Sequence, residues 1–292
     1  MSGMGVVSCL DAKTGDSLWS FDTVDLYCGQ FPLWGMSENL LIDGDNVICT
    51  PGGRTASIIA LHKKTGEMVW ECKELNQSST YCNPLVFNWV GRRIIVTMLR
   101  DSVVGLDAYT GKLLWRDEFD TYHTDRKRTV NANAPIFHNG QIHTTSGYNN
   151  GGAMLQLNAN GTQIQRLWTD TALDVHHGGV ILHNGYLYGS NWTSNSCDNW
   201  ACIRWEDGKE QYNTRWDGNK GSLIYADDIL YCYNEKSGDV ALVRGNPETF
   251  EIVSRFQITK GEGPFWAHPS IANGRFYIRH GEYLMAYDIK AR

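Results

Sequence analysis

Short apolar runs punctuated by turn residues recur along the whole chain at a near-constant spacing. The run Val6-Val7-Ser8-Cys9-Leu10 leads into Asp11-Ala12-Lys13-Thr14-Gly15, and a further apolar stretch ends at Trp19. The same order returns as Leu61-His62-Lys63-Lys64-Thr65-Gly66 with Trp70, and as Leu106-Asp107-Ala108-Tyr109-Thr110-Gly111 with Trp115. Weaker copies are Leu157-Asn158-Ala159-Asn160-Gly161 with Trp168, Ile203-Arg204-Trp205-Glu206-Asp207-Gly208 with Trp216, and the terminal Ala286-Tyr287-Asp288. Six intervals between Asp11 and Asp288 give a period of about 46 residues, inside the ~40–50 residues typical of repeats built from several strands.

Each period holds two hairpin signals. Thr-Gly is one: glycine supplies the positive φ, and the Asp and Thr side chains bond nearby backbone groups. The other lies upstream, as in Asp43-Gly44, Asn139-Gly140, Asn184-Gly185 and Asn273-Gly274, each between apolar runs. Two hairpins per period make four antiparallel strands, one blade of a β-propeller. The expected fold is therefore all-β. Complete blades are predicted over 38–72, 84–117, 134–169, 178–216 and 221–257, with two strands in 1–20 and three in 268–289. Helix signals are nearly absent, and no composition shift marks a linker, so 1–292 reads as a single domain.

Composition narrows the function classes. The net charge is −6, with 26 basic residues spread along the chain, which argues against nucleic acid as a partner. No apolar run reaches the ~18 residues of a membrane-spanning helix, and Met1-Ser2-Gly3-Met4-Gly5 carries no signal-peptide pattern. The eight cysteines include no Cys-x-x-Cys pair; most read as small core residues, with Cys197 and Cys202 as a candidate loop disulfide. Asp43-Gly44-Asp45-Asn46 reads as a hairpin turn rather than a calcium loop, and the basic stretch His123-Thr124-Asp125-Arg126-Lys127-Arg128 as a solvated loop.

The repeat Leu-Asp-Ala-x-Thr-Gly-x-x-x-Trp resembles that of the pyrroloquinoline-quinone-like (PQQ-like) β-propeller family, which includes quinoprotein dehydrogenases and the assembly lipoprotein BamB. The resemblance covers nearly the whole chain. It implies a bacterial protein of periplasmic or other extracytoplasmic location, whose export signal is not in this sequence. Relatives with more repeats imply an eight-bladed ring, of which about six to seven blades are present here, truncated at the N-terminus; a compact six-bladed closure is the alternative.

A propeller brings equivalent repeat positions together. The segments entering the inner strands carry Trp34, Asn83, Asn133, His176, His177, Lys220, Trp266 and His268, which are expected to converge at one mouth of the channel. Aromatic faces beside neutral donors and acceptors suit a polar organic ligand such as a sugar, a quinone or a peptide. Adjacent strand residues point to opposite faces, so His176 and His177 are not expected to ligate one metal together. The loops between second and third strands add Arg54, Arg100, Tyr148, Trp192, Glu235, Arg279 and His280 to the same face.

The expected function is non-catalytic binding in the cell envelope: a BamB-like scaffold for envelope proteins, or a glycan or other polar ligand held at the channel mouth. No catalytic residue and no metal site are assigned, and no cofactor is expected. The alternative implied by the resemblance is a PQQ-dependent oxidoreductase, with calcium, acting on alcohols or sugars. The family's enzymes hold the quinone against a Trp, often under a disulfide of adjacent cysteines, and this chain has no adjacent cysteine pair. A third reading is a carbohydrate-active enzyme using His176 or His177 with Asp174 as acid and base.

Overall fold

In the computed structural model, residues 1–30, 32–118, 123, 130–194, 198–217 and 219–290 are described. Every strand pairs antiparallel, and the strands fall into seven sheets in chain order. The first holds β1 (Val6–Leu10) and β2 (Ser17–Asp22). Five four-stranded sheets follow. They are β3 (Leu41–Asp43), β4 (Asn46–Cys49), β5 (Ile58–His62) and β6 (Met68–Cys72); then β7 (Leu85–Trp89), β8 (Arg92–Met98), β9 (Ser102–Asp107) and β10 (Leu113–Glu118). The next are β11 (Ile136–His138), β12 (Gln141–Thr145), β13 (Gly152–Leu157) and β14 (Ile164–Asp170); and β15 (Val175–His183), β16 (Tyr186–Asn191), β17 (Asn199–Arg204) and β18 (Glu210–Thr214). The fifth is β19 (Gly221–Ala226), β20 (Ile229–Asn234), β21 (Asp239–Arg244) and β22 (Ile252–Gln257), and the last sheet has three strands, β23 (Ser270–Ala272), β24 (Arg275–His280) and β25 (Tyr283–Asp288). β1 and β2 pair only with each other, and β25 has β24 as its one partner among the described residues.

The chain forms two compact units: Met1–Thr144 with Ala153–Leu167, and Thr145–Gly152 with Trp168–Arg292. One element escaped the sequence pattern, the helix α1 (Thr23–Tyr27). Asp22 caps it by accepting from the Val24 and Asp25 amides, and Cys28 ends it in the left-handed region at φ 50°.

The hairpins follow the turn chemistry written in the sequence. Asn139-Gly140, Asn184-Gly185 and Asn273-Gly274 all place both loop residues at positive φ, as a type I′ turn requires. Val90-Gly91 makes the same turn between β7 and β8, with a β-branched residue at φ 44°. The Thr-Gly turns are built alike. Asp11 Oδ1 accepts from the Lys13 and Thr14 amides, and Gly15 N donates to Asp11 O. Asp107 repeats this with Tyr109, Thr110 and Gly111. Between β21 and β22 a longer loop replaces the turn, with Asn246 accepting from the Glu248 and Thr249 amides.

The repeat tryptophans lock successive sheets onto these turns. Trp19 lies on Gly66 and donates its indole N–H to Lys63 O at 3.1 Å. Trp70 lies on Gly111 and donates to Ala108 O at 3.1 Å; Trp168 lies on Gly208 and donates to Glu206 O at 3.1 Å. A Cβ at Gly111 would stand 2.3 Å from the Trp70 ring, so the turn glycine is required both by its φ of 70° and by the docked indole. Trp115 departs from the pattern. It folds over Gly105 of β9, inside the cluster of Ile94, Val96, Ile142 and Leu155, and its indole N–H finds no acceptor among the described residues. Trp89, from the end of β7, takes the dock instead: it packs on Gly140 and Gly161 and donates to Asn158 O at 2.9 Å. Trp216 joins an aromatic cluster with Trp200 and Phe250.

Two outcomes test this reading. Trp70→Ala removes a buried wedge and its hydrogen bond and is expected to cost about 3–5 kcal/mol in chemical denaturation; a loss under ~1 kcal/mol would show that the dock does not anchor the sheets. Val90→Asn relieves a β-branched residue from the left-handed region and is expected to stabilise by about 1 kcal/mol, because Val90 is 71% exposed and little packing is lost.

Candidate functional site

Five of the eight residues singled out in the sequence lie in the second unit: His176, His177, Lys220, Trp266 and His268. β15 pairs regularly with β16 from Val180 onward, but its register is broken between Val175 and Val180. That bulge contains both histidines. It overturns the expectation that they point to opposite faces: their ring centroids are 4.7 Å apart at 64°. A bulge suspends strand alternation and re-aims side chains. Gly178 is required in it, since a Cβ there would meet Gly221 O at 2.0 Å.

His177 sits over a buried ion network. Its Nε2 lies 3.1 Å from Glu235 Oε2, Lys220 Nζ is 3.0 Å from Glu235 Oε1, and Lys220 Nζ is 3.2 Å from Asp198 Oδ2. The Lys220, Asp198 and Glu235 side chains are 6%, 0% and 8% exposed. Burial alone would raise the Glu235 carboxyl, but the His177 contact and the Lys220 ammonium outweigh it and hold the group below its ordinary value. Asp198 Oδ1 accepts from the Thr193 and Ser194 amides, which ties the residues just after β16 to this carboxylate. Glu235 lies in an Asx-like turn that Asn234 begins at the end of β20: Asn234 Oδ1 accepts from the Lys236 and Ser237 amides, and Gly238 N donates to Asn234 O.

His176 packs edge-on against Tyr148 at 4.5 Å, and Tyr148 lies 5.0 Å from Trp192. Burial first, then the neighbouring His177 and the Lys220 ammonium, pushes His176 down to about 3 from an ordinary 6.5. Tyr148 and Asn149 both stand at positive φ, and Asp174 fixes their loop by accepting from the Asn149 amide at 2.6 Å and the Gly151 amide at 2.7 Å. Burial raises Asp174 to about 6 despite those bonds. Asp174 is thus committed to the loop, and the carboxylate that meets a histidine is Glu235, not Asp174 as the acid–base pairing supposed.

The segment bearing Trp266 and His268 is pinned from several sides. His268 Nε2 donates to His177 O at 2.6 Å, and burial lowers its basicity. Phe265 packs on Gly238, stacks on His280 at 3.8 Å, and donates its amide to Glu235 O. His280 in turn places its two ring nitrogens 2.8 Å from Lys260 O and 2.8 Å from Gly263 O. Trp266 itself is 61% exposed, its ring 6.4 Å from that of His177.

The other three predicted residues belong to the first unit. Trp34 is exposed and tilts against Tyr81 at 5.8 Å, with its amide donating to Tyr81 Oη. The Asn83 side chain accepts from the Asn39 amide at 2.7 Å, and Asn133 is buried, its carbonyl accepting from Cys82 Sγ. Asp43, in the β3–β4 hairpin, pairs with the Arg93 guanidinium through both carboxylate oxygens. Of the basic stretch 123–128 only His123 lies among the described residues, and Cys197 lies outside them; Cys202 is a buried thiol of β17. Sequence reasoning missed Asp198 altogether. A lysine at a strand entry was the signal for it, because a buried ammonium requires a carboxylate partner.

A bound quinone with calcium would need open acidic or amide ligands and cations for the quinone's own carboxylates. The two carboxylates here are already bridged by Lys220, the one buried ammonium of the site, so these residues do not fit that group. Among the described residues no group of three or more His, Cys, Asp or Glu side chains could hold a metal ion.

Two variants test the site's electrostatics. The unfolded chain protonates His176 near its ordinary 6.5 while the folded protein resists until about 3. Its contribution is therefore present above pH 6.5 and lost as the pH falls toward 3. His176→Phe, which keeps a ring against Tyr148, is expected to flatten the acid limb of a stability–pH curve. Lys220→Met leaves two buried carboxylates uncompensated and is expected to cost about 3–5 kcal/mol in denaturant titration.

Comparison with known proteins agrees with this architecture. Structurally, the chain is similar to BamB from Moraxella catarrhalis, with a TM-score of 0.67 at 16% identity, covering 97% of this chain and 76% of that one. It is similar to a europium-containing methanol dehydrogenase, with a TM-score of 0.60 at 12% identity over 97% of this chain and 73% of the other. The quinohemoprotein alcohol dehydrogenase of Comamonas testosteroni gives a TM-score of 0.58 at 13% identity, over 84% of this chain and 51% of that one. These likenesses identify the fold as a β-propeller. A search of curated proteins by sequence returned no match. A family model described as outer membrane protein assembly factor BamB matches residues 1–214, and the chain therefore belongs to this BamB-like family of PQQ-like repeat β-propellers.

Proposed function

We propose that this protein is a non-catalytic binding propeller of the bacterial cell envelope, which holds a partner at the Trp266–His177 surface of its second unit. The observation that carries the reading is the contrast within the site. Its charges are buried and joined in one ion-paired network, while a large aromatic face is left exposed on a pinned segment. A rigid aromatic anchor over a satisfied polar base is how binding surfaces lower the ordering cost of association. The family match to an assembly factor of the outer membrane supports an extracytoplasmic setting, with envelope proteins or envelope polar molecules as partners. No helix among the described residues is long and apolar enough to cross a membrane.

Site-specific photo-cross-linking tests this. A cross-linker replacing Trp266 is expected to give a discrete adduct in the envelope fraction of the source cells, and one replacing the equally exposed Tyr109 is not. Equal labelling at the two positions, or none at 266, would overturn the assignment. Reduction of an acceptor dye by alcohols or aldoses after addition of PQQ and calcium would favour the oxidoreductase instead.

A further inference from the structure

The hydrogen-bonding polarity of the exposed ledge narrows what it binds. This step rests on the binding function proposed above. His177 Nε2 faces the Glu235 carboxylate at 3.1 Å, a contact that favours the N–H on that nitrogen. In the neutral ring Nδ1 is then a bare acceptor, and none of the described residues donates to it. Trp266 offers an indole N–H, which has no acceptor among the described residues, and a broad apolar face. The ledge thus presents one acceptor, one donor and one flat aromatic surface.

Charge excludes one class of ligand. Asp198 and Glu235 carry two negative charges against the single ammonium of Lys220, so the base of the site is negative unless His177 is protonated. An anionic quinone would meet that field without a cation, and its carboxylates and carbonyls, acceptors only, would confront the lone pair of Nδ1. A hydroxyl-rich ring meets neither obstacle. Each hydroxyl donates and accepts, so one hydroxyl satisfies Nδ1 while the C–H face of the ring lies on the indole. The platform is also set in advance. His268 ties its segment to His177 O, and Phe265 holds it between Gly238 and His280.

We propose that the Trp266–His177 ledge binds a neutral hexopyranose unit of an oligosaccharide, with His177 accepting from one hydroxyl and Trp266 stacking beneath the ring.

The test is a titration of the full chain with maltotriose, cellotriose and chitotriose, followed by calorimetry and tryptophan fluorescence. At least one trisaccharide is expected to bind saturably. Trp266→Ala and His177→Ala are expected to weaken that binding at least about tenfold, roughly the 1.4 kcal/mol of a lost contact, with the thermal midpoint of Trp266→Ala nearly unchanged. Trp34→Ala, in the first unit, is expected to leave it as it was. Saturable binding of PQQ in place of the sugars, sugar binding insensitive to both variants, or no sugar binding at all would each overturn the proposal. If the sugars fail while the cross-linker at 266 still captures an envelope polypeptide, the ledge is a protein-binding surface and only this inference falls.

Discussion

The indole laid on a turn glycine is the contact on which the rest of this protein depends. A four-stranded sheet has two faces to cover, and within each unit neighbouring sheets cover one another. Trp19, Trp70 and Trp168 each bridge to the Thr-Gly-type turn of the following sheet, filling the space a glycine leaves and satisfying a carbonyl that the turn exposes. The contact joins a requirement of conformation to one of packing. Positive φ demands glycine at the turn, and the missing Cβ is what lets the ring approach. The substitution of Trp89 for Trp115 shows that the dock, rather than one sequence position, is what the fold preserves.

This lattice of regular sheets permits irregularity at the site. The β15 bulge, the left-handed residues Tyr148 and Asn149, and the ion network under His177 all depart from sheet regularity. Such departures cost stability and persist where surrounding structure over-determines them. Here the determinants are named: Asp174 for the Tyr148 loop, Asp198 for the Thr193–Ser194 turn, and His268 for the Trp266 segment. A network of Lys220 between two carboxylates gives little net stability for its desolvation cost, but it sets a carboxylate 3.1 Å from His177 Nε2.

The same repeat fold serves binding proteins and quinone enzymes, so fold alone does not choose between them. Side-chain chemistry at the strand entries bears on the choice. Where a cofactor site would need an open cation-binding set, this protein has an internal ammonium, and beside it stand the His177 ring and the exposed Trp266 face.

The sequence by itself determined the repeat, the blade boundaries to within a few residues and the type I′ turns. These are local: period-two alternation, Asn-Gly pairs and Thr-Gly turns act over a few residues and are written where they act. It also placed His176, His177, Lys220, Trp266 and His268 at equivalent points of the repeat. Tertiary structure alone decided that His176 and His177 turn toward each other, because a bulge depends on the pairing strand, β16, as much as on β15. It decided that Lys220 meets Asp198 and Glu235, residues 22 and 15 positions away in different loops, since no local pattern encodes which carboxylate a buried ammonium finds. And it decided which tryptophan docks, because Trp89 and Trp115 compete for one turn and only the packing of both sheets settles the contest.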